Sequence, residues 1–217
     1  TTLNAQDALG NTAPEKTDTI QKDTVTTVSL DPIADTNDST PTFSGTGEAG
    51  STITVKDGTT VLGTATVGAD GKWTLTPSTP LADGPHTIAV TAVDPNGNVN
   101  SAAGTPATGT DTFIVDTQAT ATVDIKDSGS HDDMISTVDV LSATKLAGTI
   151  DAGGSITSLT VSDAAGHSII VPAAAITLNA DGSWSATVDV SGLNDGTLTT
   201  TLNAQDALGN TAPEKTD

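Results

Sequence analysis

The stretch STITVKDGTTVLGTATVGADGKWTLT (residues 51–76) shows how this chain folds. Thr, Val and Ile alternate with other residues in short runs, as they do on the two faces of a pleated strand. The runs are 51–56, 61–67 and 72–76. The pairs Asp57-Gly58 and Asp70-Gly71 between them are typical of tight hairpin turns. The stretch therefore predicts consecutive short strands joined by turns.

The same alternation recurs along the rest of the chain. Further runs with this period lie at 24–30, 86–93, 112–115, 155–161, 168–171, 183–190 and 198–204. No segment has a convincing helical period. About seven short strands in about 100 residues are typical of an immunoglobulin-like sandwich. We therefore predict an all-β fold of tandem immunoglobulin-like β-sandwich domains arranged end to end.

Two kinds of internal repeat organise the chain. The segment TTLNAQDALGNTAPEKTD (1–18) returns letter for letter as 200–217. Five shorter motifs also recur between the two halves: S/A-G-T (44–46 and 147–149), A-D-G-x-W (69–73 and 180–184), L-x-D-G (81–84 and 193–196), A-x-D-x-x-G-N (92–98 and 204–210) and D-T-x-x-x-D-T (18–24 and 111–117). We predict one domain at 23–116 and a second at 117–217, with 1–22 as the tail of a preceding repeat plus a linker. Such arrays serve length and multivalency more often than a single active site.

Composition excludes several classes of partner. The chain has 27 Asp and Glu against 7 Lys and Arg, a formal net charge of −20. Such a surface repels nucleic acid and anionic lipid, so we expect no nucleic-acid partner. No run of eighteen apolar residues is present, so we expect no membrane insertion. The acids are mostly Asp in loops beside Gly and Asn, where oxygen ligands suit divalent cations, although a soluble acidic surface is the alternative.

The ordered motifs resemble those of a known family. S-G-T, A-D-G-x-W, L-x-D-G, A-x-D-x-x-G-N and D-T-x-x-x-D-T are similar to the bacterial Ig-like repeats of giant adhesins. These are type I-secreted, RTX-type and biofilm-associated surface proteins, among them the giant non-fimbrial adhesin of Salmonella. The resemblance covers nearly the whole chain. It implies an extracellular stalk at the bacterial cell surface, with domain junctions stiffened by Ca²⁺.

The residues at the junctions suit that cation. The D-x-x-x-N turn and the D-T-x-x-x-D-T segment are both expected at the linker, where carboxylates, an Asn amide and carbonyl groups could complete a shell of six to eight oxygens. The candidate ligands are Asp7, Asn11, Asp18 and Asp23 at the first junction, Asp94, Asn96, Asn98, Asp111 and Asp116 at the second, and Asp127, Asp132 and Asp133 in an acidic loop of the second domain. The alternative is that Asp and Asn cap turns without a metal. We favour that alternative for the isolated Asp57, Asp70 and Asp181.

No motif predicts an enzyme. The formal G-x-G-x-x-G at 45–50 precedes a predicted strand, whereas a dinucleotide site needs a helix at that point. The histidines His86, His131 and His167 are scattered. His131 beside Asp132 is the one conceivable ligand among them. No pairing of a nucleophile with a base is recognisable.

We predict a structural extender module of a bacterial surface adhesin. Calcium at the junctions would stiffen the tandem domains, which would project a distal adhesive domain for cell adhesion or biofilm formation. The expected partners are neighbouring Ig-like repeats of the same chain and, through distal domains, a host-cell or abiotic surface. The alternative is a binding module that itself recognises a glycan or another surface ligand. Such a module needs exposed aromatic side chains, and this chain has no Tyr and two Trp, both expected in cores.

Overall fold

The computed structural model describes residues 2–100, 110–126 and 143–217. The strands are β1 Thr2–Leu3, β2 Lys16–Thr17, β3 Phe43–Thr46, β4 Thr52–Asp57, β5 Thr60–Thr66, β6 Lys72–Leu75, β7 Gly84–Val93, β8 Thr110–Val115, β9 Ala121–Lys126, β10 Thr144–Ile150, β11 Ser155–Asp163, β12 Ser168–Ile170, β13 Ile176–Leu178, β14 Ser183–Val188, β15 Leu198–Gln205 and β16 Lys215–Thr216. A 3₁₀ turn, Ala173–Ala175, lies between β12 and β13. Within these described residues, no helix is long and apolar enough to cross a membrane.

The predicted all-β fold is confirmed, and one predicted strand is wrong. Residues 24–30 form only an isolated bridge, between Val28 and Gly47. The N–H groups of Ser29 and Asp31 donate to the carbonyls of Thr46 and Ser44 at 2.8 and 2.9 Å, and the Glu48 N–H makes a longer bond of 3.4 Å to the Thr27 carbonyl. The segment therefore runs beside β3 without a continuous ladder. The other runs identified from their alternation correspond to strands.

The strands form three four-stranded sheets and two pairs. The four-stranded sheets have the orders β5-β4-β7-β8, β13-β14-β10-β9 and β12-β11-β15-β16. The pairs are β3-β6 and β1-β2. Each pairing for which the register is known is antiparallel, as in Ig-like sandwiches.

The chain divides into two compact units by its internal contacts. The first comprises Thr1–Pro32, Thr42–Thr76 and Thr87–Asp111, and the second Ile33–Pro41, Pro77–His86 and Thr112–Asp217. The domain bounds 23–116 and 117–217 rest on the sequence motifs and stay predictions.

The first unit has its own apolar core. Phe43 of β3, Ile53 and Val55 of β4 and Trp73 of β6 are all buried. The indole Nε1 of Trp73 donates to the carbonyl oxygens of Ser29 and Thr46, each at 3.2 Å. The polar edge of the ring is therefore satisfied although the ring is buried, and these bonds tie the segment before β3 to the core.

The second unit has a separate core of the same design. Trp184 of β14, Leu146 of β10, Leu159 of β11 and Leu202 of β15 belong to one buried cluster, together with ten further apolar residues. These residues come from both four-stranded sheets of the unit, so the sheets pack face to face. Both tryptophans are buried, as the sequence predicted.

Candidate metal centre

Asp94 begins a five-residue turn whose backbone and side-chain polar groups hydrogen-bond to one another. The Asp94 N–H donates to the Asn98 carbonyl at 3.0 Å, and the Gly97 N–H donates to the Asp94 carbonyl at 3.1 Å. Gly97 has φ 87°, which a side chain would disfavour. Asp94 Oδ1 accepts the backbone N–H of Asn96 and of Asn98, at 2.9 and 2.8 Å. Asn98 Nδ2 donates to Asp94 Oδ2 at 2.6 Å.

The same turn occurs at three more places, beginning at Asp7, Asp163 and Asp206. In each, the N–H of the aspartate donates to the carbonyl of the fifth residue. The aspartate carboxylate also accepts a hydrogen bond from the side chain of the fifth residue. The fifth residue is Asn11, His167 or Asn210 in turn. The D-x-x-x-N spacing is therefore a turn motif in its own right, because the aspartate oxygens accept hydrogen bonds from the turn's own donors.

Capping also changes the acidity of these aspartates. Burial raises the pKa of Asp94, whose residue is 4% exposed. The hydrogen bonds from the side chain and backbone of Asn98 and from the backbone of Asn96 outweigh this effect, so the pKa of Asp94 lies below its ordinary value. Asp94 is thus ionised at neutral pH, as a carboxylate ligand of a cation must be.

Three carboxylates come together beside this turn. One carboxylate oxygen from each of Asp23, Glu48 and Asp94 lies within 4.8 Å of the others. Asp23 and Glu48 are half-buried and Asp94 is buried. Like charges this close repel one another, particularly where water is partly excluded. In the described part of the chain, this is the one group of three or more acids or histidines close enough to hold a metal ion.

Different parts of the chain position the three acids. Glu48 lies in the turn between β3 and β4, where its carbonyl accepts the Ser51 N–H at 3.0 Å. Asp23 lies at the predicted start of the first domain, and its Oδ2 accepts Asn96 Nδ2 at 2.7 Å. Asn96 therefore connects the predicted start of the first domain to the Asp94 turn, which follows β7.

The corresponding residues of the second half are used differently. The motif alignment pairs Asp23, Glu48 and Asp94 with Asp116, Asp151 and Asp206. The Asp151 carboxylate accepts the backbone N–H and the hydroxyl of Thr120. Asn210 Nδ2 donates both to Asp206 Oδ2, at 2.6 Å, and to the Asp116 carbonyl, at 2.7 Å. Hydrogen bonds, rather than a close carboxylate group, thus hold the start of the second domain.

A further carboxylate holds the same segment. Asp83 Oδ1 accepts the backbone N–H of Thr117 at 3.0 Å and its hydroxyl at 2.8 Å, and Oδ2 accepts Gln118 Nε2 at 3.0 Å. The Thr117 hydroxyl is the main reason that the pKa of Asp83 lies below its ordinary value. The segment that follows Asp116 is therefore fixed by side chains that need no metal.

The remaining candidate ligands lie apart from the three acids. Asp7 and Asn11 bond to each other in the exposed β1-β2 hairpin. Asp18 is exposed just beyond β2, and Asp111 is half-buried in β8. Asp127, Asp132 and Asp133 lie outside the described residues, as does His131.

The sequence analysis did not identify Glu48, Asp83 or Asp151 as candidate site residues. A signal for two of them was present, because the aligned positions 48 and 151 are both acidic. Asp83 and its counterpart Asp195 lie in the L-x-D-G motif, which reads as a hairpin turn. What Asp83 contacts depends on chain segments remote in sequence.

Comparison with known proteins agrees with this fold. Residues 12–117 match the family described as bacterial Ig-like domain. No curated protein matches the chain.

The chain is also similar to parts of three solved structures. A tetra-tandem repeat in the extending region of a large adhesion protein is 31% identical over 88% of this chain and 48% of that one, with a TM-score of 0.39. The BSP domain of a biofilm-associated protein is 21% identical over 87% and 28%, with a TM-score of 0.28. The Yersinia pseudotuberculosis adhesin InvE is 15% identical over 88% and 57%, with a TM-score of 0.31. The chain spans about half the length of the first of these structures.

Proposed function

We propose that this chain is an extender module of a bacterial surface adhesin and that it binds Ca²⁺ through Asp23, Glu48 and Asp94. The observation that carries the calcium proposal is the close approach of these three carboxylates, within 4.8 Å, at the predicted start of a bacterial Ig-like domain. The family match and the internal repeats support the extender role. Secretion by a type I system and a part in biofilms belong to the same proposal.

The donor set suits calcium better than a softer metal. It contains carboxylate oxygens, with the Asn96 amide bonded to one of them, and the chain has no cysteine. Oxygen-only sites of this kind select Ca²⁺ or Mg²⁺, and Ca²⁺ tolerates irregular geometry and higher ligand numbers. A bound cation would also remove the repulsion among the three acids.

The surface favours a structural role over direct recognition of a ligand. The chain has two Trp, two Phe and no Tyr. Trp73, Trp184, Phe43 and Phe113 are all buried. Stacking on a glycan needs an exposed aromatic face, and none of these rings offers one. A distal domain would then make the adhesive contact, and the partners of this module would be neighbouring repeats of the same chain.

Replacing Glu48 by Gln tests the calcium site. Glu48→Gln removes one charged ligand without changing the size of the side chain, so we expect the Kd for Ca²⁺ to rise by about tenfold or more. Glu214→Gln is the matched control, because it removes the same charge from an exposed position remote from the site in sequence. Isothermal titration calorimetry with Ca²⁺, in buffer first freed of metal with a chelator, measures the Kd of both variants. Equal Kd values for Glu48→Gln, Glu214→Gln and the unmodified chain would overturn the site.

Small-angle scattering tests the extender role separately. With Ca²⁺ at about 100 times its Kd, a site adds about 2.7 kcal/mol to the bound state. If that energy orders the linker, the maximum particle dimension is larger with Ca²⁺ than in excess EGTA. The distribution of particle dimensions is also narrower with Ca²⁺. An unchanged profile together with tight binding would reject stiffening while keeping the site. An unchanged profile without binding would reject both.

A further inference from the structure

One edge strand of the first unit lacks the features that usually keep sheet edges apart. β5 has the sequence TVLGTAT, with no charged residue and no proline. It forms one end of the sheet β5-β4-β7-β8, and β4 is the one described strand that pairs with it. β5 lies well inside the matched region 12–117, so its open edge does not come from a chain end. An exposed edge of this length is ready to pair with another strand.

The other edge strands of the four-stranded sheets are protected in the described structure. β8 contains Asp111, β9 contains Asp124 and β16 contains Lys215. A charge on an edge strand opposes pairing with a second sheet. β12 and β13 have three residues each, and very short edge strands also discourage pairing. Among these edge strands, β5 therefore combines the greatest length with the absence of charge.

The outward-facing backbone groups of β5 follow from its pairing with β4. The N–H of Val67, just beyond β5, donates to the Ser51 carbonyl at 2.9 Å, so the polar groups of Val67 face β4. These groups alternate in direction along an antiparallel pair, and the register with β4 is regular over this stretch. Those of Ala65 therefore also face β4, whereas those of Thr64 and Thr66 face away from it. No described strand pairs with that outward edge.

We propose that β5 pairs with β5 of a second copy of this chain, antiparallel and about a two-fold axis at Ala65. In this register, Thr64 of each copy lies opposite Thr66 of the other. Each such pair exchanges both of its backbone hydrogen bonds, which gives about four bonds in all. The side chains of Thr64 and Thr66 are exposed, and threonines opposite one another are a favourable cross-strand pair.

Charge identifies the occupant as a second copy. The chain has a net charge of −20, so two copies repel each other over most of their surface. The nearest charged residues along the chain, Asp57 and Asp70, lie beyond both ends of β5. This edge is therefore where two acidic chains can approach with the least repulsion, and a charged peptide would gain no ion pair from it. The edge is also self-complementary, because a two-fold axis brings its own donors opposite its own acceptors.

The pairing is weak between two single chains. A few backbone hydrogen bonds exchanged with water contribute little net affinity, and the net charges oppose the contact. We therefore expect the chain to be mainly monomeric at micromolar concentration. Association should increase with NaCl, because screening removes the repulsion but leaves the backbone bonds in place. The proposal does not depend on calcium or on the extender role.

Disulfide trapping tests the register, because the chain has no cysteine of its own. In the proposed pair, the Cα atoms of Thr64 and the opposite Thr66 are about 5.5 Å apart, which a disulfide can span. The two Thr64 residues are diagonal neighbours about 7–8 Å apart, which is too far for an unstrained bridge. Full-length Thr64→Cys and Thr66→Cys chains, one labelled with heavy nitrogen, are mixed in a glutathione redox buffer. Intact masses then separate mixed dimers from like dimers.

Mixed dimers should exceed the like dimers of either variant by tenfold or more. The control is a mixture of Thr91→Cys with Thr66→Cys, because Thr91 is exposed on β7, in the interior of the same sheet. It should give at least tenfold less mixed dimer. A yield equal to that of the control would overturn the pairing. An excess of Thr64→Cys like dimers would also overturn it, since the strands would then meet in another register.

A pair of charge variants tests the same contact without cysteine. The double variant Thr64→Lys with Thr66→Glu places opposite charges face to face across the axis, whereas Thr64→Lys with Thr66→Lys places like charges there. In sedimentation at about millimolar concentration, the first should associate at least as strongly as the unmodified chain. The second should stay monomeric, although its net negative charge is smaller. Equal association of the two variants would contradict pairing through β5.

Discussion

At the residue scale, the aspartate that begins a D-x-x-G-N turn has two uses. In the turns at Asp7 and Asp206, the carboxylate closes the turn by accepting hydrogen bonds from two backbone N–H groups and from the side-chain amide of the fifth residue. In the turn at Asp94 it closes the turn in the same way and also lies beside Asp23 and Glu48. The turn chemistry is thus general, and the proposed metal site is a local addition to it.

The capping role predicts a pH-dependent effect of replacing Asp206. Burial raises the pKa of Asp206, but the hydrogen bonds from Asn210, Leu208 and Gly209 outweigh it, and the net pKa lies below its ordinary value. The stabilisation is therefore complete above the unfolded pKa of about 3.9 and is lost as pH falls through the folded pKa. We expect Asp206→Asn to lower the free energy of unfolding by about 1 kcal/mol near neutral pH, and by progressively less in acid.

Urea unfolding in EGTA, at a series of pH values from neutral downward, measures this difference. Asp7→Asn is the matched control, since Asp7 caps the same turn in the exposed hairpin. It should leave the unfolding of the second unit unchanged. A loss from Asp206→Asn that grows as the pH falls would contradict the capping account.

At the element scale, each Ig-like half contains a glycine opposite a buried tryptophan on the neighbouring strand. Gly45 pairs with Trp73 between β3 and β6, and Gly148 pairs with Trp184 between β10 and β14. A Cβ atom on Gly148 would overlap the Thr122 carbonyl and lie 2.9 Å from Trp184 Nε1. The glycine of the S/A-G-T motif thus allows close approach of backbone and indole, and no unusual φ is involved.

This pairing predicts that Gly148→Ala destabilises the second unit. The added methyl group must displace backbone or indole, and overpacking of this kind costs about 1–3 kcal/mol. Gly192→Ala is the control, because nothing lies within 4 Å of its Cβ position and its φ is outside the left-handed region. Removing glycine flexibility there should leave stability unchanged or raise it slightly. Thermal unfolding followed by tryptophan fluorescence compares the two, and equal midpoints would refute the steric explanation.

At the scale of the whole molecule, charge opposes compactness. The formal net charge is −20, and carboxylates such as those of Asp83, Asp94 and Asp206 accept hydrogen bonds from uncharged side chains. Repulsion among these charges destabilises the folded state over a range set by the ionic strength. Screening should therefore stabilise the protein even without a specific cation.

Salt is expected to raise the midpoint of thermal unfolding. Raising NaCl from about 0.01 M to about 0.15 M shortens the Debye length from about 30 Å to about 8 Å, so long-range repulsion is largely removed. Calorimetry in EGTA should show a higher Tm at the higher salt concentration. The rise should shrink near pH 4, where many carboxylates are neutral. A Tm that falls with salt would mean that favourable ion pairs dominate instead.

Much of the fold could be predicted from local patterns. Alternation of Thr, Val and Ile gave the position of most strands, and Asp-Gly pairs marked the turns, since both depend on neighbours along the chain. The prediction was wrong at 24–30, where the alternating pattern is present but only a single bridge forms. A continuous ladder with β3 depends on how the two segments lie against each other, and the alternating pattern does not encode that.

The sequence by itself determined the β architecture, the two tryptophan-centred cores and the duplicated hairpin, because each is written in periodicity, composition or identity. Only the tertiary structure decided that Asp23, Glu48 and Asp94 meet while Asp7 and Asn11 bond to each other. It also decided that one copy of an identical hairpin is buried and the other exposed. The physical reason is that proximity and burial depend on which remote segments pack together, and identical residues acquire different roles when different neighbours cover them.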